Sequence, residues 1–398
     1  MSLNEYAEPC SSTSPETNLP RPDSIPDEER YSRQVLFAGI GPSGQRRLAQ
    51  SHVAIVGCGA LGAASASLLA RAGVGALTLI DRDFVEPSNL QRQVLFDEAD
   101  ALESLPKAAA ARRHIARFNS AVTVHAHIAD LVPGNIADLL GTPANPGSAP
   151  ARAPVDIILD GTDNFETRYL INDFAVQQRK PWIYAAAIGA YAATMNVLPQ
   201  PAHKSDTSYS PTACLACIFP KPPAGDVDTC DTAGILSTAV NLAASIQVNE
   251  ALKFLTGNAH RMRRTLLSFD LWSQLSSGSP HPGYLDRSEI AAGHPHPGCA
   301  VCDKRAFTHL EGQSRPHITL CGRDSVQIHE HHRPVDFARL RARLSTHADI
   351  RDLRTNDLLL RFRRGPYTFT LFADGRAIVH GTTDIVIARS LYARFIGS

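Results

Sequence analysis

Length, composition and charge limit the classes of protein that this chain can belong to. Its 398 residues are 43% hydrophobic, which is enough for a large core and suggests two or three domains. Its 39 basic and 39 acidic residues cancel, so no overall field attracts nucleic acid and any anion binding must be local.

The N-terminal segment, residues 1–26, is rich in Ser, Pro, Glu and Thr and predicts a disordered tail. It lacks the basic start and the apolar core of a secretory signal. Nowhere does an apolar run approach the roughly 18–20 residues needed to cross a bilayer. We therefore expect a cytoplasmic protein that binds neither membranes nor nucleic acid.

The segment after the tail predicts two helices and then a strand–helix–strand unit. Residues 27–50 form the helices around a Gly/Pro break. HVAIVG at 52–57 predicts a short buried strand, residues 60–72 have helical spacing, and ALTLID at 76–81 predicts a second strand. This is the first unit of a Rossmann-like, doubly wound sheet.

The glycine turn between that first strand and its helix predicts nucleotide binding. Gly57, Gly59 and Gly62 form G-x-G-x-x-G, which allows a tight turn, a close backbone approach and helix–strand packing. Asp81 ends the next strand, 19 positions after Gly62, and is placed to accept from a ribose hydroxyl. The alternative is a glycine-rich turn without a ligand. The pattern indicates a nucleotide but does not specify which one.

Helices and strands continue to alternate as far as residue 272, which predicts a mostly parallel α/β sheet. The Pro/Gly/Ala-rich stretch 141–154 is expected to be a surface insertion. Helices are predicted at 107–119, 136–140, 166–179 and 232–257 (the last as a pair or one bent helix), and strands at 122–128, 155–160, 181–198 and 265–272.

The chain changes character beyond Cys302, and residues 315–398 predict a separate small α+β domain. Its strands are expected within 318–329, 358–364 and 367–381. Its helices are expected at 337–344 and 384–397.

The loop that follows Asp81, DRDFVEPSNLQRQ, is unusually polar for a dinucleotide site. Asn89, Arg92 and Gln93 follow the carboxyl end of the strand, where an Arg can make a bidentate phosphate contact. Lys107 begins the next predicted helix and offers a second cation. A nicotinamide needs a dry, apolar pocket, whereas a triphosphate needs such cations and donors. The alternative is a solvated loop with ordinary salt bridges.

A second group of polar residues, DGTDNFETR, ends another predicted strand. Asp160 or, by preference, Asp163 would hold Mg²⁺ against phosphates, because Mg²⁺ prefers oxygen ligands. Asn164 lies at the start of the following helix. The alternative is that Asp163 only caps that helix.

Four of the eight cysteines form two C-x-x-C pairs, which favours a metal over disulfides in a reducing compartment. The pairs lie far apart in sequence, so a shared ion would clamp the end of the domain onto its middle. Four thiolates fit tetrahedral structural Zn²⁺, and the alternatives are buried free thiols or a redox pair. The predicted ligands are Cys214, Cys217, Cys299 and Cys302.

Cys230 is the cysteine outside these pairs that is of most chemical interest. It precedes an apolar helix, and a thiol near a helix N-terminus can act as a nucleophile. The alternative is a passive thiol, which is the interpretation we give to Cys321.

Taken together, the motifs resemble the ThiF/MoeB/HesA family, relatives of the ubiquitin-activating enzymes. RYSRQ, GCGALG, the DRDFVEPSNLQRQ loop, LDGTDNFETRYLIND and the C-x-x-C pairs occur in the family's order across 27–303. The resemblance implies an adenylation domain over that range. It implies ATP-dependent adenylation of the C-terminal glycine of a ubiquitin-like sulfur carrier similar to ThiS or MoaD, for thiamine or molybdenum cofactor biosynthesis. It also implies Mg²⁺, Zn²⁺, a homodimer, and a cysteine desulfurase or rhodanese as possible sulfur donor.

The resemblance also implies roles for individual residues. Arg33 resembles the arginine that the partner subunit inserts into the site, and Cys230 the cysteine that some members link to the carrier. The residues implied in catalysis are Arg33, Arg92, Lys107, Asp163 and Cys230. Those implied in nucleotide binding are Gly57, Gly59, Gly62, Asp81, Asp83, Asn89, Arg92, Gln93, Lys107, Asp163 and Asn164.

Three rival hypotheses remain at this level. An NAD- or FAD-dependent oxidoreductase would use the same glycine turn but leaves Arg92 and Lys107 unexplained. A non-catalytic zinc scaffold would not need those cations either. In the third hypothesis, the adenylating enzyme acts on a ribosomal peptide. The domain from residue 315 is absent from the shortest family members and shows no rhodanese active-site loop.

Overall fold

Two β-sheets organise the part of the chain that the structure describes. The computed structural model describes residues 27–141, 154–201, 208–222, 233–272, 286–312, 325–328, 335–372 and 375–396. The strands are β1 His52–Val56, β2 Ala76–Ile80, β3 Thr123–His127, β4 Ile157–Asp160, β5 Trp182–Ile188, β6 Tyr191–Val197, β7 Thr265–Asp270, β8 Asp286–Ala291, β9 Ser325–Ile328, β10 Ile350–Thr355, β11 Leu359–Arg364, β12 Tyr367–Phe372 and β13 Ala377–His380.

The described helices lie on both faces of the first sheet and on one face of the second. They are Asp27–Arg30, Ser32–Val35, Gly41–Gln50, Ala60–Ala72, Glu98–Glu103, Lys107–Phe118, Ile136–Leu139, Phe165–Gln178, Leu215–Ile218, Ser237–Leu255, Phe337–Ser345 and Ile385–Phe395, with 3₁₀ turns at Pro87–Asn89 and Ala259–Arg261.

The first sheet has eight strands in the order β3-β2-β1-β4-β5-β6-β7-β8. The strands from β3 to β5 pair in parallel, and β5 to β8 pair antiparallel. The order reverses between β1 and β4. Such a reversal opens a crevice at the carboxyl ends of the strands, where doubly wound sheets bind ligands.

The core of this sheet explains why its central strands are apolar throughout. Strand β1 is buried at all five positions, as expected for a parallel strand covered on both faces. Ile55 faces a cluster with the helices Ala60–Ala72 and Lys107–Phe118. Ala54 faces the opposite cluster, which contains the helix Phe165–Gln178.

The second sheet is antiparallel, in the order β10-β11-β12-β13-β9. Phe362 and Phe369 stack at 4.5 Å between ring centroids on the face covered by the two last helices. Within this sheet, β10 and β11 show a β-bulge between Arg351 and Arg354.

The predicted fold class is confirmed: a mostly parallel α/β sheet is followed by a small antiparallel sheet with helices. Two strands were not predicted, β8 and β10. The apolar segment expected as a helix pair or bent helix contains the helix Ser237–Leu255. The domain boundaries stay predictions, and the tail 1–26 and most of the 141–154 insertion lie outside the described residues.

Candidate nucleotide site and metal centre

The glycine turn lies at the crevice between β1 and β4, and its geometry requires glycine. Gly57 has φ 87°, in the left-handed region that glycine favours. A Cβ on Gly62 would stand 1.8 Å from the Gly57 carbonyl oxygen, whereas one on Gly59 would meet no atom within 4 Å. The third glycine therefore allows close packing, and the space beside the second is open.

The loop after β4 closes the other side of this crevice. A Cβ on Gly161 would lie 2.5 Å from the Gly57 oxygen, so the two loops touch backbone to backbone. The DGTD sequence therefore meets the glycine turn directly, although they are about a hundred residues apart in sequence.

Asp81 connects the glycine turn to the loop after β2. Its carboxylate accepts from the Cys58 N–H at 2.6 Å and from the Asp83 N–H at 2.7 Å. Burial raises the pKa of Asp81, while Lys107 opposes that rise. The side chain thus lies at the strand end where the sequence predicts a ribose contact.

Lys107 and Asp83 form an ion pair next to Asp81. The Lys107 ammonium is 3.1 Å from the Asp83 carboxylate, and the Lys107 side chain is 5% exposed. The Lys107 N–H also donates to the Asp83 carbonyl at 2.8 Å. Lys107 begins the helix Lys107–Phe118, as predicted, and its charge is therefore held at a fixed position beside the crevice.

The predicted phosphate residues lie in the loop between these acids and Lys107. Asn89 is 1% exposed, and its side-chain oxygen Oδ1 accepts from the Glu86 N–H at 3.1 Å. Arg92 donates to the Ser88 carbonyl at 2.8 Å and forms no ion pair with any described residue. Gln93 is buried, with its side-chain oxygen lacking a partner among the described residues. Because Arg82 and Asp83 of the same loop do form ion pairs, with Asp130 and Lys107, the choice between a phosphate site and a loop of ordinary salt bridges stays a prediction.

The two acids of the DGTD sequence have different environments. Asp160 is fully buried and pairs with Arg168 at 3.0 Å, and burial raises the pKa of Asp160. Asp163 is exposed and makes no hydrogen bond or ion pair with a described residue. The alternative that Asp163 caps the helix is wrong, because Asn164 is the cap and accepts from the Thr167 N–H at 2.8 Å.

Gln247 contacts the strands that form the crevice. Its role was not predicted from the sequence. Its side-chain amide donates to the Asp160 carbonyl at 2.8 Å and to the Ile183 carbonyl at 2.9 Å. Its oxygen accepts from Ser65 at 3.1 Å. One buried glutamine thus ties β4, β5 and the glycine-turn helix together. The available signal was a polar residue on the apolar face of a helix.

Of the predicted catalytic residues, Arg33 lies away from this cluster, and the position of Cys230 is not described. Arg33 lies exposed in the helix Ser32–Val35 and contacts none of the crevice residues within the described part of the chain. Cys230 lies outside the described residues, as does Cys321.

The four paired cysteines come together as predicted. The Sγ atoms of Cys214 and Cys217 are 3.8 Å apart, and Cys214 and Cys299 are 3.7 Å apart. Cys217 and Cys302 are 3.4 Å apart, and all four Sγ atoms lie within 4.8 Å of one another. Four sulfurs at about 2.3 Å from a tetrahedral zinc ion would be about 3.8 Å apart. The donor set and its spacing therefore fit Zn²⁺, which would join the region of the first pair to that of the second.

A doubly wound sheet with a glycine turn, an acid at the second strand end and a buried lysine defines a nucleotide-binding α/β protein. Residues 31–285 match the ThiF family. The chain belongs to this family. No helix in the described part is long and apolar enough to cross a membrane.

Named relatives extend this similarity beyond the first sheet. The chain is 41% identical over 372 residues to the sulfur carrier protein ThiS adenylyltransferase of Bacillus subtilis, covering 92% of this chain and 99% of that protein. It is 35% identical over 243 residues to a sulfur carrier protein adenylyltransferase of Thermus thermophilus, covering 61% and 83%. The crystal structure of E. coli MccB is similar in fold, with a TM-score of 0.53, 20% identity, and 70% and 73% coverage.

Proposed function

We propose that this chain is an ATP-dependent adenylyltransferase that activates the C-terminal glycine of a ubiquitin-like sulfur carrier protein. The product would be an acyl adenylate for sulfur transfer in thiamine or molybdenum cofactor biosynthesis. The observation that carries the proposal is the crevice itself. There the glycine turn, Asp81 and the Asp83–Lys107 pair meet, in a chain 41% identical to a named ThiS adenylyltransferase.

The binding part of the mechanism follows from the positions of these groups. The open space at Gly59 and the start of the helix Ala60–Ala72 offer backbone N–H groups to the nucleotide. Asp81 would accept from a ribose hydroxyl. The triphosphate would then lie toward the loop, where Arg92 and Lys107 supply cations and Asn89 and Gln93 lie among them, with Asn164 near Asp163.

The chemical step requires charge neutralisation. A carboxylate attacks the α-phosphorus of ATP, so one anion approaches another and pyrophosphate leaves as a further anion. Fixed cations stabilise this arrangement without reorganising, and each such contact is typically worth about 10²–10³ in rate. Lys107 is buried beside Asp83 and therefore acts where water does not screen its charge strongly. No general base is required, since the attacking carboxylate is already ionised at neutral pH.

Asp163 fits the role of a Mg²⁺ ligand. Mg²⁺ typically binds proteins through one or two carboxylates together with substrate phosphates. The Asp163 carboxylate is exposed at the crevice and makes no hydrogen bond or ion pair with a described residue, while its charge interacts with Arg82 and Arg168. A magnesium ion bound there with ATP would add positive charge next to the phosphates. Zn²⁺ at the four cysteines would be structural, since all four positions are protein ligands.

The partners follow from the same proposal. A homodimer would bring Arg33 of one subunit to the crevice of the other, and the exposed Leu36 and Phe37 beside it offer apolar surface for an interface. A cysteine desulfurase or a rhodanese would supply sulfur, and Cys230 would be available for a covalent link. Neither the polar crevice nor the named relatives support the oxidoreductase alternative.

The test is ATP–pyrophosphate exchange with labelled pyrophosphate and candidate carriers that end in Gly-Gly. Exchange that requires both the carrier and Mg²⁺ is expected. A carrier whose last glycine is removed is the matched control and should give none. The absence of exchange with every carrier, together with tight NAD binding, would overturn the proposal.

A further inference from the structure

The second sheet is buried on both faces, and its second face packs on the nucleotide-binding loop. Phe362 and Phe369 face the last two helices. Phe372 and Ile378 alternate to the other face and form a cluster with Phe84 of the first unit. With Leu359, the cluster has four buried members among the described residues, and each is between 1% and 4% exposed. The contact is therefore a dry, apolar junction.

Phe84 connects this junction to the candidate nucleotide site. It follows Asp81 by three residues and forms an isolated antiparallel bridge with Pro106. Directly beside this bridge, the Lys107 N–H donates to the Asp83 carbonyl at 2.8 Å. The apolar cluster therefore packs next to the backbone segment that fixes the position of Lys107.

Arg361 of β11 contacts the same segment through its charge. Its guanidinium carbon lies 4.4 Å from the centre of the Phe84 ring, a cation–π contact. The guanidinium is also 3.7 Å from the Glu86 carboxylate. Glu86 in turn begins the turn that holds Asn89, whose N–H donates to the Glu86 carbonyl at 2.9 Å. Arg361 thus contacts Glu86, which in turn contacts Asn89, one of the predicted phosphate-binding residues.

The far end of the loop is held by the same sheet. Arg354 donates to the Leu102 carbonyl at 3.0 Å, and Asn356 donates to the Glu103 carbonyl at 3.2 Å. The next residue, Ser104, has φ 52° and turns the chain toward Lys107. The second sheet therefore contacts the loop of residues 84–106 near both of its ends.

We propose that the second sheet holds the loop 84–106 in the geometry that binds the phosphates of ATP, with Arg361 as a positioning residue. Arg361 acts through Phe84 and Glu86 and does not itself reach the nucleotide. A loop that is already ordered loses less conformational entropy when ATP binds, so affinity rises without a new ligand contact. This inference rests on the proposed function.

The test compares Arg361→Ala with Arg363→Ala in the full chain. Arg363 lies two residues further along β11 and is exposed, which makes it a matched control. For Arg361→Ala we expect the KM for ATP in carrier-dependent exchange to rise about tenfold with little change in kcat. Arg361→Lys keeps the charge but not the planar stacking and should give an intermediate KM. Arg363→Ala should match the unaltered protein.

Hydrogen–deuterium exchange of residues 84–106 provides a second readout that needs neither carrier nor turnover. Faster exchange is expected there in Arg361→Ala and not in Arg363→Ala. If Arg361→Ala lowers only the melting temperature and leaves both KM and loop exchange unchanged, the residue is merely structural and the inference is overturned. If the unaltered protein catalyses no exchange with any carrier, the proposed function fails, while the deuterium comparison still decides whether the sheet orders the loop.

Discussion

At the scale of single residues, a change at Asp163 is expected to lower activity without lowering stability. Its side chain is exposed and makes no hydrogen bond or ion pair with a described residue, so Asp163→Asn removes charge without breaking a close contact. We expect the free energy of unfolding to change by less than about 0.5 kcal/mol. We expect carrier-dependent pyrophosphate exchange to fall by about 100-fold or more, because a phosphate-side charge is lost.

Glu166 provides the control for that change. It is an exposed acid on the first turn of the helix that begins just after Asp163. Glu166→Gln removes one negative charge nearby and should leave exchange unaltered. Equal activity in Asp163→Asn and Glu166→Gln would contradict the assigned role of Asp163.

At the scale of elements, the four cysteines connect segments that are distant in sequence. Cys217→Ser replaces a ligand 3.4 Å from Cys302 and should remove the ion from the cluster. Loss of a structural zinc removes binding free energy that is also folding free energy, so zinc content and melting temperature should fall together. Metal analysis and thermal unfolding measure both. Cys58→Ala, a buried thiol outside the cluster, should retain full zinc, and full zinc in Cys217→Ser would exclude the four-thiolate site.

Tyr169 connects the helix Phe165–Gln178 to the short helix Leu215–Ile218, which carries the first cysteine pair. Its hydroxyl donates to the Phe219 carbonyl at 2.6 Å, and burial raises the pKa of Tyr169 to about 12. Because the pKa of Tyr169 is higher in the folded protein, the unfolded chain loses the hydroxyl proton at a lower pH. The stabilising contribution is therefore complete below about pH 10 and is lost as the pH rises toward 12.

The variant Tyr169→Phe tests that dependence. Near pH 8 it should be about 1 kcal/mol less stable, because the hydrogen bond is gone. The difference between the two proteins should shrink as the pH rises above 10, as chemical denaturation at several pH values would measure. A difference that stays constant over that range would show that the Tyr169 hydroxyl titrates normally.

The sequence predicted the elements whose pattern is local. The glycine turn, Asp81 and Lys107 could be placed because parallel strands end at one edge of a sheet. Strand β8 was missed because it is an exposed edge strand with no apolar alternation. The roles of Gln247 and Arg361 depend on contacts between residues far apart in sequence, which periodicity does not report. The contacts to ATP, Mg²⁺ and the carrier stay predictions.

At the scale of the whole molecule, the proposed homodimer concerns the surface that contains Arg33. Leu36 and Phe37 are 74% and 66% exposed, a large apolar exposure next to a charged residue. Arg33 contacts none of the crevice residues of its own chain among the described contacts. A two-fold dimer in which each subunit completes the other's site accounts for both features.

Mixed dimers test this arrangement. Arg33→Ala and Asp163→Asn should each be inactive alone, because every site in either homodimer lacks one group. Co-expression gives mixed dimers in which one of the two sites has both groups intact. Random assembly should therefore restore about a quarter of the activity of the unaltered enzyme.

The control for the mixed dimers uses two variants whose changed residues both line the crevice of a single subunit. Arg92→Ala with Asp163→Asn should restore nothing, since each crevice in the mixed dimer still carries one defect. The Arg92 side chain donates to the Ser88 carbonyl and makes no other hydrogen bond with a described residue, so its replacement should not unfold the loop. Recovery in the first mixture alone places Arg33 in the partner's crevice. Equal recovery in both mixtures, or recovery in neither, would mean that Arg33 acts within its own subunit or away from the site.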